Sequence, residues 1–236
     1  MLSLLVSAGA AIATGGLTAY GAMTPRSQLF GRTFCAGTDD RQIALTYDDG
    51  PSEHTTLRLL EVLAQYSAKA TFFMIGKYVK LLPQIAREIT SQGHVLGNHT
   101  FSHPSLFWTS PHMVRQELEQ CQKAIEDATG QTPVYFRPPF GARRPDVLRT
   151  ARALQLIPVM WTATCFDWSP NDAEDVYRRA THDIEKKGFG SVVLLHDGGH
   201  LAMNADRSHT VRATELLLKK YGPQRYEFVG VDSMKR

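Results

Sequence analysis

Between Arg41 and Val231 short apolar runs alternate with amphipathic stretches, and this alternation restricts the fold more than any other feature of the chain. Strands are expected at Ile43–Asp48, Thr71–Ile75, His94–Asn98, Val134–Arg137, Leu156–Trp161, Ser191–His196 and Tyr226–Val231. Helical spacing of apolar residues marks Thr56–Tyr66, Leu82–Gln92, Met113–Thr129, Pro145–Leu154, Ala173–Lys187 and Thr210–Tyr221. Gly93, Gly130 and Gly188 follow three of these stretches in the place of helix C-caps. About seven βα units result, without an internal repeat or a long linker, and this order calls for a parallel sheet, either a barrel or doubly wound. In both folds ligands sit at the C-terminal ends of the strands.

The polar residues that invite a chemical reading fall at those ends. The stretch IALTYDDGPSE closes the first strand with Asp48 and Asp49. Side chains alternate along a strand, so the two carboxylates are expected to point in different directions. Neighbouring carboxylates repel, and desolvating one unpaired costs several kcal/mol or shifts its pKa. In isolation such a pair reads as a solvated Asp-Gly turn. Later strands end in NHTFSHPS with His99 and His103, VYFRPPFG with Arg137, WTATCFDW with Asp167 and Trp168, and VVLLHDG with His196. On a helical turn, His99 and His103 at i and i+4 share one face, at a distance that can chelate one metal ion. A carboxylate would complete a three-ligand site with one position open to water, the pattern of catalytic zinc. One aspartate can then bind the cation, which offsets the repulsion, while the other stays free as a base. Pro138 and Pro139 carry no N–H, so the first amide after Arg137 is that of Phe140, a candidate oxyanion donor.

Charge and cysteine usage narrow the partners. The formal net charge is +3 with no Lys/Arg run, which gives a nucleic-acid role no electrostatic support. Cys35, Cys121 and Cys165 are far apart, so neither a disulfide framework nor a Cys-rich zinc site is implied, and Cys121 lies on an apolar helix face with Val114, Leu118 and Ile125. Residues 1–24 form an apolar segment without a charged side chain, which is expected to associate with a membrane or to act like an export signal. Residues 25–40 read as a linker and residues 41–236 as one catalytic domain. His54, His112, His182, His200 and His209 lie outside the motifs and are expected at the surface or as caps, with the His200–His209 loop placed to rim a cleft.

With TYDDGP, HTFSH, RPPFG, FDW and LLH in this order, the chain resembles the polysaccharide deacetylases (the NodB-homology domain, carbohydrate esterase family four) from about Arg41 to Val231. The resemblance implies a distorted (β/α)7 barrel with outer helices, and a divalent metal, zinc first, with cobalt or nickel as alternatives. It implies hydrolysis of N-acetyl groups from an acetylated amino-sugar polymer or oligosaccharide such as peptidoglycan or chitooligosaccharide. Asp48 would be the general base, oriented by Arg137, and Asp49, His99 and His103 the metal ligands. His196 would be the general acid partnered by Asp167, and Trp168 an apolar wall. Tyr47 stands where Phe is usual, and Thr164 replaces an acidic residue often found three positions before Asp167. A deformylase of a lipid-linked amino sugar and a non-catalytic carbohydrate-binding protein are the competing expectations.

Overall fold

The strand β2 (Gln42–Asp48) is buried along its whole length, because both of its faces are covered, as in parallel sheets flanked by helices. Ile43, Leu45 and Tyr47 point outward and pack against Leu59, Leu60, Leu63, Leu217 and Leu218 of the surrounding helices. Ala44 points the other way, into an inner cluster with Phe73, Trp161, Val192 and Leu194. Period-two alternation therefore assigns Ala44, Thr46 and Asp48 to the inside of a curled sheet. The computed structural model describes residues 16, 18–169, 172–186 and 188–236.

The sheet also contains β3 (Ala70–Met74), β4 (Val95–Asn98), β5 (Tyr135–Phe136), β6 (Ile157–Pro158), β7 (Ala163–Thr164) and β8 (Gly190–His196). These run parallel in the order β7-β8-β2-β3-β4-β5-β6, and among the described residues no pairing joins β6 to β7. The result is a curled, partly open barrel of mostly parallel strands with helices around it, a distorted (β/α)7 barrel. One stave differs from expectation. The Tyr226–Val231 run contributes only β9 (Glu227–Phe228), which pairs with the start of β2, and the place beside β8 is taken by β7. β7 has two residues, too few to show periodicity, and its pairing with β8 alone defines it. β1 (Ala36–Gly37) adds an antiparallel pair on β8.

Helices form at Thr55–Gln65, Pro83–Ser91, Pro111–Thr129, Pro145–Ala153, Ala173–Glu185 and Ser208–Tyr221. A short helix at Gly76–Leu81 carries too few residues to show a pattern in sequence. The long helix Pro111–Thr129 starts where Ser110 accepts a bond from the Met113 amide and stops at Gly130, whose left-handed φ of 72° suits glycine. Gly93 likewise turns left-handed after Pro83–Ser91. Gly188 is not a cap, since the preceding helix already ends at Glu185 with Lys186 as its C-cap.

Of the apolar segment 1–24, only residue 16 and residues 18–24 are described, with 18–23 helical. Among the described residues no helix is long and apolar enough to cross a membrane. Arg143, almost wholly buried, donates to the carbonyls of Ala22, Thr24 and Ser27 at 3.3, 2.7 and 3.0 Å. Phe34 bridges to Val159, so residues 25–40 lie against the barrel.

Gly97 in β4 makes room for the inner side chains, since a Cβ there would overlap the Phe73 ring. That ring carries the Arg137 guanidinium 4.2 Å above its centre. Gly97→Ala is expected to cost about 1–3 kcal/mol through overpacking, read as a lowered midpoint in chemical unfolding.

Candidate active site

Parity along the strands brings the site together. Asp48 on β2 and His196 on β8 occupy paired positions at the C-terminal ends of adjacent parallel strands. Arg137 follows Tyr135 by two residues and shares its inward direction. Its guanidinium is fully buried, and it donates to Asp48 Oδ1 at 2.8 Å, Thr46 Oγ1 at 2.7 Å and the Val159 carbonyl at 3.3 Å. Asp48 Oδ2 is left facing His99 Nε2 at 3.7 Å.

Asp49 breaks the expected alternation. Its φ of 73° places it in the left-handed region, which Asp tolerates better than most residues. The backbone turn swings its carboxylate back toward the same side as Asp48 instead of outward. Asp49 Oδ1 then lies 3.4 Å from His99 Nε2 and 3.1 Å from His103 Nε2. The HTFSH segment is not the helical turn expected from its spacing. It is an irregular loop with left-handed Thr100 and His103. Glu117 holds it, accepting from the amides of Phe101 and Ser102 at 2.9 and 2.8 Å and from the Ser102 hydroxyl at 2.6 Å.

Asp49, His99 and His103 are all buried, and one ligand atom from each lies within 4.8 Å of the others. Asp49 Oδ1 has no hydrogen-bond partner among the described residues. His99 Nδ1 is bonded to the Arg137 carbonyl at 2.7 Å, which places its proton there and leaves the Nε2 lone pair facing Asp49. Burial lowers the pKa of His103 despite the opposing pull of Asp49, which favours the neutral imidazole, the form that ligates metals. Burial pushes the Asp49 carboxyl upward, but His103, His200 and His99 outweigh it and hold it well below the usual range. Two imidazoles and a carboxylate oxygen without a hydrogen-bond partner among the described residues suit a divalent cation.

On the other side of the cleft, His196 Nδ1 is bonded to Asp167 Oδ1 at 2.8 Å. Asp167 Oδ2 accepts from the His196 amide at 2.7 Å and the Thr210 hydroxyl at 2.8 Å. Burial disfavours the charged imidazole, but Asp167 outweighs it and raises the His196 pKa to about 9. Trp168, half exposed, meets the His196 ring edge-on at 5.2 Å between centres. Phe140 sits left-handed at φ 58° and packs edge-on against His103 at 4.7 Å. His103, Phe140, Trp168 and His196, with Trp161, Leu194 and residues of the Gly199–Arg207 loop, line one cavity of about 510 Å³.

All nine residues singled out in the motifs therefore border or support one cleft, and three further residues join them. Glu117 was legible as a carboxylate on an otherwise apolar helix face beside Val114, Leu118 and Cys121. Asp197, next to His196, is fully buried beneath Gly50, where a Cβ would overlap its carboxylate. Burial and the nearby Asp49 and Asp48 push its pKa up to about 7, against the opposing bond from Thr56. His200, expected at the surface, enters the site, with Nδ1 3.6 Å from Asp49 Oδ2. The two departures from the family pattern are both satisfied locally. The Tyr47 hydroxyl bonds Thr214 at 2.9 Å, and Thr164 Oγ1 accepts from the Trp161 indole at 2.8 Å.

A profile of the family described as polysaccharide deacetylase matches residues 36–159. The chain is 37% identical over 163 residues to a chitooligosaccharide deacetylase of Rhizobium leguminosarum bv. trifolii, covering 69% of this chain and 74% of that one. It is 34% identical over 200 residues to a peptidoglycan-N-acetylglucosamine deacetylase of Bacillus cereus, covering 84% and 90%. Among solved structures, a CE4 family pseudoenzyme from Bacillus anthracis superposes with a TM-score of 0.76 at 27% identity, covering 85% of this chain and 67% of that one. The chain belongs to the polysaccharide deacetylase family of hydrolases.

Proposed function

We propose that this chain is a metal-dependent deacetylase that removes N-acetyl groups from N-acetylglucosamine-type residues of a glycan such as peptidoglycan or chitooligosaccharide. The observation that carries the reading is the pairing of Asp48 and His196 on adjacent strand ends beside the Asp49–His99–His103 group. An Arg-held carboxylate and an Asp-held imidazole thereby face one space from two sides. The relatives' activities on the two glycans support the substrate class.

A cation held by Asp49, His99 and His103, zinc by the preference of that donor set, would polarise the acyl carbonyl as a Lewis acid. Arg137 occupies Asp48 Oδ1, so Asp48 takes the proton of the attacking water at Oδ2. The Phe140 amide, first after the two prolines, donates to the developing oxyanion. Asp167 fixes the Nδ1 proton of His196, and the Nε2 proton passes to the sugar nitrogen as the C–N bond breaks. Acetate and a free amine leave. Trp168 walls the cleft beside His196.

A non-catalytic role on this scaffold is the competing reading, since one structural neighbour is a CE4 family pseudoenzyme. In this chain the residues proposed as base, acid and metal ligands are all present, which favours the catalytic reading. Product analysis on peptidoglycan and chitooligosaccharides, with and without a chelator, tests the function directly. Chelator-sensitive acetate release is expected, and release of formate from a lipid-linked sugar with no acetate would point to the competing activity.

Asp48→Asn should retain bound metal and lose about 10²–10⁴-fold in kcat, whereas His99→Ala should lose both metal and turnover. Metal analysis and acetate release on the two variants check this, and an active Asp48→Asn enzyme overturns the base assignment. Because His196 works protonated, activity should fall as pH rises through about 9. Asp167→Asn removes the partner that raises this pKa, so the alkaline limb should move to lower pH. The same pair stabilises the fold fully below the ordinary histidine value of 6.5 and loses that contribution as pH rises to about 9. A pH series of unfolding midpoints on wild type and Asp167→Asn should show the difference shrink toward the alkaline end.

A further inference from the structure

His200 stands in the loop between β8 and the helix Ser208–Tyr221, outside every motif that the proposed chemistry uses. Three observations fix its place. The turn that carries it packs directly on Asp49, so closely that a Cβ at Gly198 would overlap the Asp49 carbonyl. The buried Tyr78 donates its hydroxyl to the carbonyls of Gly199 and His200 at 3.1 and 3.0 Å, which anchors the backbone from the other side. The imidazole then lies flat on His103, with ring centres 4.5 Å apart and planes 20° apart, and meets Phe140 edge-on at 5.2 Å.

We propose that His200 is a positioning residue for the cation site, orienting two of its three ligands from the solvent side. The inference rests on the reading that Asp49, His99 and His103 hold a metal ion. His200 Nδ1 approaches Oδ2 of Asp49, whereas Oδ1 is the oxygen that faces the two ligand imidazoles. With the His200 ring standing 3.6 Å from the outer oxygen, the carboxylate is hindered from rotating, so Oδ1 stays directed inward. The stack on His103 resists tilting of that ring. The group whose donor atoms all lie within 4.8 Å of one another is Asp49, His99 and His103, and His200 stands beside it. Partners that orient ligands in this way are worth about 10–100-fold in metal affinity.

The test is direct titration of metal-free protein with Zn2+ against a chromophoric chelator, on wild type, His200→Ala and His200→Gln. Both variants should bind one ion per chain at least about tenfold more weakly, with the unfolding midpoint of the metal-free protein unchanged. The Co2+-loaded His200→Ala variant should also show displaced ligand-field bands, a signature that a purely structural role would leave alone. Wild-type zinc affinity in both variants overturns the proposal even if turnover falls, since His200 would then touch substrate instead. A wild-type chain that binds no stoichiometric ion overturns this inference and the cation reading together, whereas binding that fails only in His99→Ala overturns this one alone.

Discussion

The guanidinium of Arg137, sealed inside the barrel, is the constraint on which the rest of the site depends. Taking such a charge out of water costs several kcal/mol unless it is paired and fully hydrogen-bonded. Here Asp48 and Thr46 from β2 and the Val159 carbonyl beyond β6 meet it, and the Phe73 ring of β3 lies beneath it. One side chain thus ties the inner face of β2 to the segment following β6 across the barrel interior. The compensation is mutual, because Asp48 is buried as well and its Oδ1 is held by the same guanidinium. The proposed base is therefore as much a part of the core as of the chemistry.

Around this pair the backbone is bent into conformations that its residues do not favour. Asp49, Thr100, His103, Phe140 and Phe166 all have positive φ, and each lies in a loop that delivers a side chain to the cleft. Such positions cost on the order of 1–3 kcal/mol apiece and persist only where the surroundings hold them. The holding groups are visible. Asn98 Oδ1 accepts from the Thr100 amide, Thr100 Oγ1 from the His103 amide, and Glu117 from the two amides between them. Arg143 grips the Gly141 carbonyl next to Phe140 at 3.0 Å. Rigid helices and strands supply the anchors, and the strained loops supply the aim.

The same small volume holds Asp48, Asp49, Asp167 and Asp197, and the fold keeps them from behaving alike. Asp48 has a guanidinium, Asp49 a ring of imidazoles, Asp167 one imidazole and a hydroxyl, and Asp197 only a hydroxyl. Their environments separate accordingly, with Asp49 and Asp167 driven below the usual carboxylate range and Asp197 above it. Acid and base work at one pH needs this kind of separation. His196 completes it from the opposite direction, since Asp167 keeps its imidazole charged where burial alone would discharge it.

Much of this was legible in the amino-acid sequence, because it depends on local pattern. Periodicity of two and of 3.6 marked nearly every strand and helix, and the βα order placed Asp48, Arg137, Asp167 and His196 at strand ends on one face. Other features needed partners distant in sequence. β7 exists through its pairing with β8, while the apolar run at Tyr226–Val231 finds only the start of β2. The left-handed turn that returns Asp49 to the cleft, and the irregular HTFSH loop, are conformations that residue type permits but does not dictate. His200 reaches Asp49 across about 150 residues of chain, through a loop with no periodicity to announce it. Local pattern thus determined which residues arrive at the rim, and long-range packing decided which way each one faces.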